Sequence, residues 1–322
     1  MNVFFYVLTN NILPIIFIVA LGYIMSRRFP LDVKTLSRTN FYVFVPVFTF
    51  YLIYTTDLPD SILLVLLFAV CMLVLNYLLA RLIARVRHYD ISMRNAMMNA
   101  LMFYNSGNIG IPLVTLVFSS VPFLINGETP FLAQALAIQV IILVVQNGTT
   151  NTLGFYIAGV GSHMSWKDAL KSVLQIPTMY TIPLAFLLKY LIPYDFTQFP
   201  LWAAIKYLKG GLVPLALFTL GAQLARTKIT RPSADISIAV ILRLLGGPIL
   251  ALLLILIFHF DTFTSQVLMI SSAVPTALNT ALIAVERDNQ PEFASQTVLY
   301  ATLLSPVTLA LVVYLSRLVF PM

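Results

Sequence analysis

Charged residues, cysteine and histidine are all scarce in this sequence. Asp, Glu, Lys and Arg together make up 10% of the 322 residues, against about a quarter in a typical soluble domain. Hydrophobic residues make up 60%, and the mean hydropathy is +0.92. A water-soluble fold of this length cannot bury so much apolar surface. The composition therefore predicts an integral membrane protein.

The few cysteines and histidines exclude two kinds of site. Cys71 is the single cysteine, so no disulfide can form within the chain. The three histidines, at positions 88, 163 and 259, all lie near the ends of apolar runs, and no His-Glu-x-x-His string occurs. A metal site is therefore not expected. A Ser or Cys nucleophile has no plausible histidine partner, so we expect neither an enzyme nor a bound cofactor.

Apolar runs long enough to cross a bilayer occur ten times. A span needs about 20 mostly apolar residues. The longest polar stretch between runs, residues 159–171, is too short for a folded soluble domain. The sequence thus predicts one all-α membrane domain, with spans near residues 6–26, 37–55, 61–84, 95–118, 131–157, 173–191, 203–225, 236–259, 265–285 and 293–316.

Lysine and arginine are concentrated in alternate loops. Fourteen of the 19 basic residues belong to the loops that follow the first, third, fifth, seventh and ninth spans. Short loops rich in Lys and Arg lie on the cytoplasmic side of most membrane proteins. Both termini are therefore predicted to face outward. The net charge of +7 fits contact with anionic lipid headgroups and does not indicate nucleic-acid binding.

Two halves of the sequence repeat the same spacing. Pro46 in the second span precedes Gly107 in the fourth by 61 residues, and Pro214 in the seventh precedes Pro275 in the ninth by the same 61 residues. Related spans are five apart, and because five is odd the halves cross the membrane in opposite senses. Such inverted repeats are common among secondary transporters. The predicted divisions are a first five-helix repeat at residues 1–158, a cytoplasmic connector at 159–172 and a second repeat at 173–322.

The fourth and ninth spans each contain a segment that interrupts a regular helix. Residues 105–112 read Asn-Ser-Gly-Asn-Ile-Gly-Ile-Pro, and Pro275 interrupts the ninth span shortly before Asn279. Gly, Asn and Pro disfavour helix interiors, and unwound backbone at membrane depth must be buried in protein or line a cavity. A break exposes N–H groups at the start of one half-helix and carbonyls at the end of the other. Such a break can hold an anion at the N–H groups and a cation at the carbonyls.

The same segments also fit a simpler interpretation. Proline kinks, and Asn side chains bonded to neighbouring helices, are common in membrane bundles. We favour a binding site because two such segments recur at matching positions. The candidate substrate-binding residues in the two breaks are Asn105, Gly107, Asn108, Gly110, Pro112, Pro275 and Asn279.

Isolated polar residues in other spans are further candidates. Arg243 lies eight residues after Asp235, about 12 Å along a helix, so the two are not predicted to pair. Ionisable groups at membrane depth are functional by default, and Arg243 either attracts the substrate anion or extends its side chain to the cytoplasmic interface. Gln139 and Gln146 fall on one stripe of the fifth span, where they either bind substrate or bond to neighbouring helices.

These motifs resemble those of the auxin efflux carrier family, in particular its short prokaryotic members, the malate and malonate permeases. The most distinctive part is the Asn-x-Gly-Asn-x-Gly-x-Pro string at residues 105–112. The segment around Pro275 and the string Gly-Ala-Gln-Leu at residues 221–224 are also similar. The resemblance extends over all ten spans. The long cytoplasmic loop of the plant hormone exporters has no counterpart, which argues against auxin itself as the substrate.

The resemblance implies the crossover fold of sodium/proton antiporters and bile-acid sodium symporters. Spans 1, 2, 6 and 7 would form a scaffold, and spans 3–5 and 8–10 a mobile transport domain that moves like an elevator. A homodimer through the scaffold, in the plasma (inner) membrane of a prokaryote, and a small organic anion as substrate are further implications. The resemblance adds Gln146 from the transport domain to the substrate site, and Thr49 and Gln223 from the scaffold are also candidates.

The sequence leaves open two alternative functions and the identity of the coupling ion. A cation/proton antiporter of the same fold generally needs a carboxylate deep in the transport domain, whereas the only acidic residue between positions 94 and 156 is Glu128, in a loop. No sequence feature argues against a membrane sensor that transports nothing. Coupling to H⁺, through the substrate carboxylate or Glu286, and coupling to Na⁺, through unwound carbonyls, both fit the sequence.

The predicted orientation can be tested by labelling single cysteines in a Cys71→Ala background. We expect cysteines placed beside Arg85 and Arg231 to react with an impermeant maleimide only after the membrane is opened, because basic loops face the cytoplasm. Cysteines near either terminus should react in intact cells. Labelling of both basic loops from outside would contradict the orientation.

Overall fold

The computed structural model describes residues 3–57, 61–159, 177–227 and 230–322. All regular secondary structure in these residues is helical. The predicted connector, apart from residue 159, and the first residues of the predicted sixth span, 173–176, lie outside the described residues.

Twelve helices make up most of the described chain, several of them with an internal π-helical turn. Six are long and apolar enough to cross a membrane: α1, α3, α6, α8, α9 and α12. The helices are α1 Phe5–Arg28, α2 33–55, α3 Ile62–Val86, α4 Ile91–Met102, α5 Ser106–Phe118, α6 Leu132–Ala158, α7 Thr178–Tyr190, α8 Trp202–Leu224, α9 Ala234–Phe258, α10 Thr262–Ser272, α11 Leu278–Glu286 and α12 Pro291–Val319.

Eight predicted spans correspond to one helix each, and the other two correspond to broken pairs. The fourth predicted span is divided into α4 and α5, and the ninth into α10 and α11. The interruption at Pro275 falls in the predicted segment. That of the fourth span falls at residues 103–105, and residues 106–112 of the predicted segment are helical. The all-α membrane class agrees with the prediction, while ten crossings arranged as an inverted repeat stay a prediction.

Several helices begin before the apolar run that revealed them. Asp32, Asp90, Ser233 and Asp261 each accept a hydrogen bond from a first-turn backbone N–H, so they cap α2, α4, α9 and α10 respectively. A cap satisfies N–H groups that have no partner inside the helix. These helices therefore start two to four residues earlier than hydrophobicity alone suggested.

α1 and α8 pack closely, and their backbones touch at two glycines. A Cβ atom at Gly22 would lie 2.0 Å from the Phe218 carbonyl oxygen, and one at Gly221 would lie 1.9 Å from that of Val19. Small residues permit this approach, which is a common way for membrane helices to associate. α2 packs against both α7 and α8, so α1, α2, α7 and α8 form one connected group.

The remaining helices form a second group around the broken pairs. α3 packs against α4, α6 and α9, while α10 packs against α6, α9 and α12. α11 lies along α12. Fewer contacts join the two groups, and they involve chiefly α2 with α6, α8 with α5, and α1 with α5 and α12. The breaks are therefore held inside the second group and face helices of the first.

Replacing Gly22 by Ala tests the α1–α8 contact. The added methyl group must push two backbones apart, and overpacking of this kind costs about 1–3 kcal/mol, so the unfolding temperature of the purified protein in detergent should fall. Gly210→Ala is the matched control, because a Cβ at that position in α8 meets no atom within 4 Å. Equal unfolding temperatures for the two variants would show that the helices are not in backbone contact.

Candidate functional site

The two unwound segments cross each other and pair. Residues 103–105, between α4 and α5, run antiparallel to residues 275–277, between α10 and α11. Two backbone hydrogen bonds join them, from the Asn105 N–H to the Pro275 carbonyl at 2.8 Å and from the Ala277 N–H to the Phe103 carbonyl at 2.9 Å. Each break thus satisfies backbone groups of the other, as non-helical backbone at membrane depth requires.

Two glutamines of α6 support the first break. The Gln146 Oε1 accepts a hydrogen bond from the Tyr104 N–H at 3.1 Å, and its Nε2 lies 3.5 Å from the Met102 carbonyl oxygen. The Gln139 Nε2 donates to the Ser106 carbonyl at 2.8 Å. Both side chains are buried. Of the two roles considered for these glutamines, hydrogen bonding to a neighbouring segment is therefore the one seen in this conformation.

A small cavity lies at the crossing, where α5 and α11 begin. Its volume is about 20 Å³, room for about one water molecule. None of the residues that line it is charged, and the first residues of both half-helices are among them. The lining consists of Phe41, Tyr104, Asn105, Ser106, Gly107, Asn108, Asn147, Thr150, Ala277, Leu278 and Asn279.

Three asparagines form a chain of amides beside this cavity. The Asn108 N–H donates to the Asn105 Oδ1 at 3.1 Å, and the Asn40 Nδ2 donates to the Asn108 Oδ1 at 2.9 Å. All three residues are buried. The Asn105 Nδ2 and the Asn40 Oδ1 have no partner among the described residues. A buried polar atom without a partner is costly, so both are suited to bind a ligand or an ordered water.

The structure brings four of the sequence-predicted residues together at the cavity. These are Asn105, Gly107 and Asn108 from the first break and Asn279 from α11. Pro275 lies directly behind them, since its carbonyl accepts from Asn105. Whether these residues bind a substrate stays a prediction.

Other predicted site residues lie away from the cavity lining. A Cβ at Gly110 would lie 2.4 Å from the Gln139 Nε2, so that glycine makes room for a supporting amide. Pro112 is in the first turn of an α-helical segment of α5. The Gln223 Nε2 donates to the Ser37 hydroxyl at 2.8 Å, which ties α8 to α2. The Thr49 side chain is completely buried in α2.

Arg243 lies behind the crossing with its side chain completely buried. The Nη1 donates to the Leu101 carbonyl at 3.1 Å, and the Nη2 donates to the Ser272 carbonyl. The guanidinium carbon lies 4.8 Å from the centre of the Tyr104 ring. The alternative of a side chain extended to the interface is therefore wrong. Asp235 does not pair with Arg243, as predicted, and forms its ion pair with an arginine at the end of α3.

Seven residues of the cavity lining were not among the predicted site residues, and neither was Asn40; the seven are Phe41, Tyr104, Ser106, Asn147, Thr150, Ala277 and Leu278. Asn40 and Phe41 belong to a π-helical turn of α2, and Thr150 begins another in α6. Single π-helical turns often occur at functional sites, but they have no composition of their own. For Asn40, the only signal in the sequence was an asparagine near the start of an apolar run. A polar residue at that place is also typical of the end of a span.

Comparisons with known proteins indicate a membrane transporter. Residues 162–313 match a family described as membrane transport protein. The chain is 27% identical over 315 residues to a Methanothermobacter thermautotrophicus protein named "Uncharacterized transporter", and the alignment covers 94% of this chain and 96% of that protein. Over 119 residues it is 35% identical to a Rhizobium meliloti protein named "Putative malonate transporter", covering 37% of each. The second half of this chain thus matches a membrane transport protein family, in agreement with the resemblance to the auxin efflux carriers.

Proposed function

We propose that this protein is a secondary transporter that carries a small organic anion, a mono- or dicarboxylate, across the plasma membrane of a prokaryote. The observation that supports this most strongly is the uncharged polar cavity at which the first turns of α5 and α11 meet. The name of the Rhizobium meliloti relative favours a short dicarboxylate such as malonate.

The electrostatics of the cavity suit a carboxylate. Each helix N-terminus carries about half a positive charge on N–H groups that have no partner inside the helix, and two such ends converge here. The amides of Asn105, Asn108 and Asn279 supply further donors. None of the lining residues is an Asp or Glu that could repel an anion or bind an exchanged cation. A cation/proton antiporter is therefore the weaker candidate.

We further propose that the chain works by alternating access. Ten spans form two inverted five-helix repeats, α1, α2, α7 and α8 act as the scaffold, and the other helices move against it. The Asn40–Asn108 hydrogen bond, at 2.9 Å, joins the scaffold to the transport domain. A cavity of about 20 Å³ is too small for malonate, so entry of the substrate requires α2 to separate from the crossing. A homodimer through the scaffold would hold the stationary part in the bilayer.

Alanine substitutions at Asn105 and Asn108 test the site. If each amide bonds to the substrate, its loss costs about 1–3 kcal/mol, which weakens malonate binding about 5- to 150-fold. Asn10→Ala is the matched control, because the Asn10 side chain is exposed and bonds only within α1. Binding by the purified variants should be compared after monodispersity has been checked. Unchanged affinity in folded Asn105 and Asn108 variants would move the site elsewhere.

Uptake into liposomes tests the function itself. Purified protein should accumulate labelled malonate, or another acid of a panel from acetate to succinate, under an imposed H⁺, Na⁺ or voltage gradient. The effective gradient would identify the coupling ion. Exchange of cations without movement of any acid would favour the antiporter, and binding of an acid without uptake would favour a sensor.

A further inference from the structure

The two breaks leave carbonyl ends as well as N–H ends, and both carbonyl ends converge on one side chain. Leu101 lies in the last turn of α4, and Ser272 is the last residue of α10. The last carbonyls of a helix have no partner inside it and carry the negative end of the helix dipole. The guanidinium of Arg243 donates one N–H group to each of these two carbonyls.

The space around this guanidinium fits its shape. A Cβ atom at Gly247, one turn further along α9, would lie 2.3 Å from the Arg243 Nη2 and 3.0 Å from the Ser272 carbonyl oxygen. A residue with any side chain at that position would therefore displace the guanidinium from the carbonyl. On another side, the Tyr104 ring lies against the guanidinium at 4.8 Å, within range of a cation–π interaction.

Arg243 differs from a substrate ligand in its position, although its buried Nε has no partner among the described residues. It is not among the residues that line the cavity, whereas Tyr104 lines the cavity and also contacts the guanidinium. No Asp or Glu among the described residues forms an ion pair with Arg243. The helix ends are thus the groups that balance its charge.

We propose that Arg243 is a positioning residue that serves as a built-in counter-charge for the crossover. It neutralises the carbonyl ends of α4 and α10, ties the two half-helices together and acts on the substrate only through Tyr104 and the crossing. The place where unwound carbonyls would otherwise hold a transported cation is occupied by the protein itself. Any coupling cation must therefore bind outside these two carbonyl ends.

Chemical rescue tests the binding pocket of the guanidinium without a substrate. Arg243→Ala removes the side chain and leaves two carbonyls and an aromatic face, which free guanidinium or methylguanidinium can occupy. We expect millimolar methylguanidinium to raise the unfolding temperature of the purified variant by several degrees, as a bound ligand does. Urea, which is similar in shape but neutral, should not. Arg81→Ala is the control, because the Arg81 side chain is exposed and contacts the half-buried Tyr77 of its own helix, α3.

The outcomes separate this role from a simple packing role. Stabilisation of Arg243→Ala by methylguanidinium, but not of wild type or Arg81→Ala, supports the proposal. A folded Arg243→Ala protein that does not respond, or that responds equally to urea, overturns it. The rescue experiment does not rest on the proposed function, so it tests the role of Arg243 even if the wild-type protein transports no acid.

Transport kinetics give a second test, which rests on the proposed function and also applies if Arg243→Ala fails to fold. Arg243→Lys keeps the charge but loses the planar fork that reaches two carbonyls at once. We expect its maximal uptake rate for malonate to fall several-fold while KM changes less than about twofold, because the substrate does not touch this residue. A KM that rises more for a dicarboxylate than for a monocarboxylate would overturn the proposal and make Arg243 a substrate ligand.

Discussion

Two short stretches of extended backbone pair in the middle of the membrane domain, and the candidate site depends on this pairing. In hydrocarbon, an unwound helix is stable only if its freed N–H and C=O groups find partners in protein or water. Residues 103–105 and 275–277 supply two of these partners to each other, and α6 supplies more through Gln139 and Gln146. Two breaks that would each be costly alone are stable together.

The crossing also separates the positive ends of the helix dipoles from the negative ends. Because α5 and α11 both begin at the cavity, their positive ends meet there, while the negative ends of α4 and α10 meet on Arg243. The cavity can therefore attract an anion without a charged side chain in its lining.

Local backbone features were predictable from sequence, and long-range partners were not. The Gly, Asn and Pro residues at positions 105–112 and Pro275 identified the neighbourhood of both breaks because these residue types disfavour helix interiors, although residues 106–112 form the start of α5. Asn40 escaped notice because its role depends on contact with Asn108, 68 residues away. The carbonyl partners of Arg243 lie 142 and 29 residues away along the chain, and the Ser37 partner of Gln223 lies 186 residues away. Helix starts were predicted late because polar caps add no hydrophobic signal.

The proposed binding of a carboxylate where α5 and α11 begin can be tested by substrate protection of a single cysteine. Leu278→Cys, in a Cys71→Ala background, places a thiol in the cavity lining, while Ile182→Cys places one in a separate apolar groove on α7. We expect malonate to slow alkylation at position 278 but not at position 182, and the neutral dimethyl ester of malonate to slow neither. Equal alkylation rates at position 278 with and without a transported acid would contradict the binding of a carboxylate at this cavity.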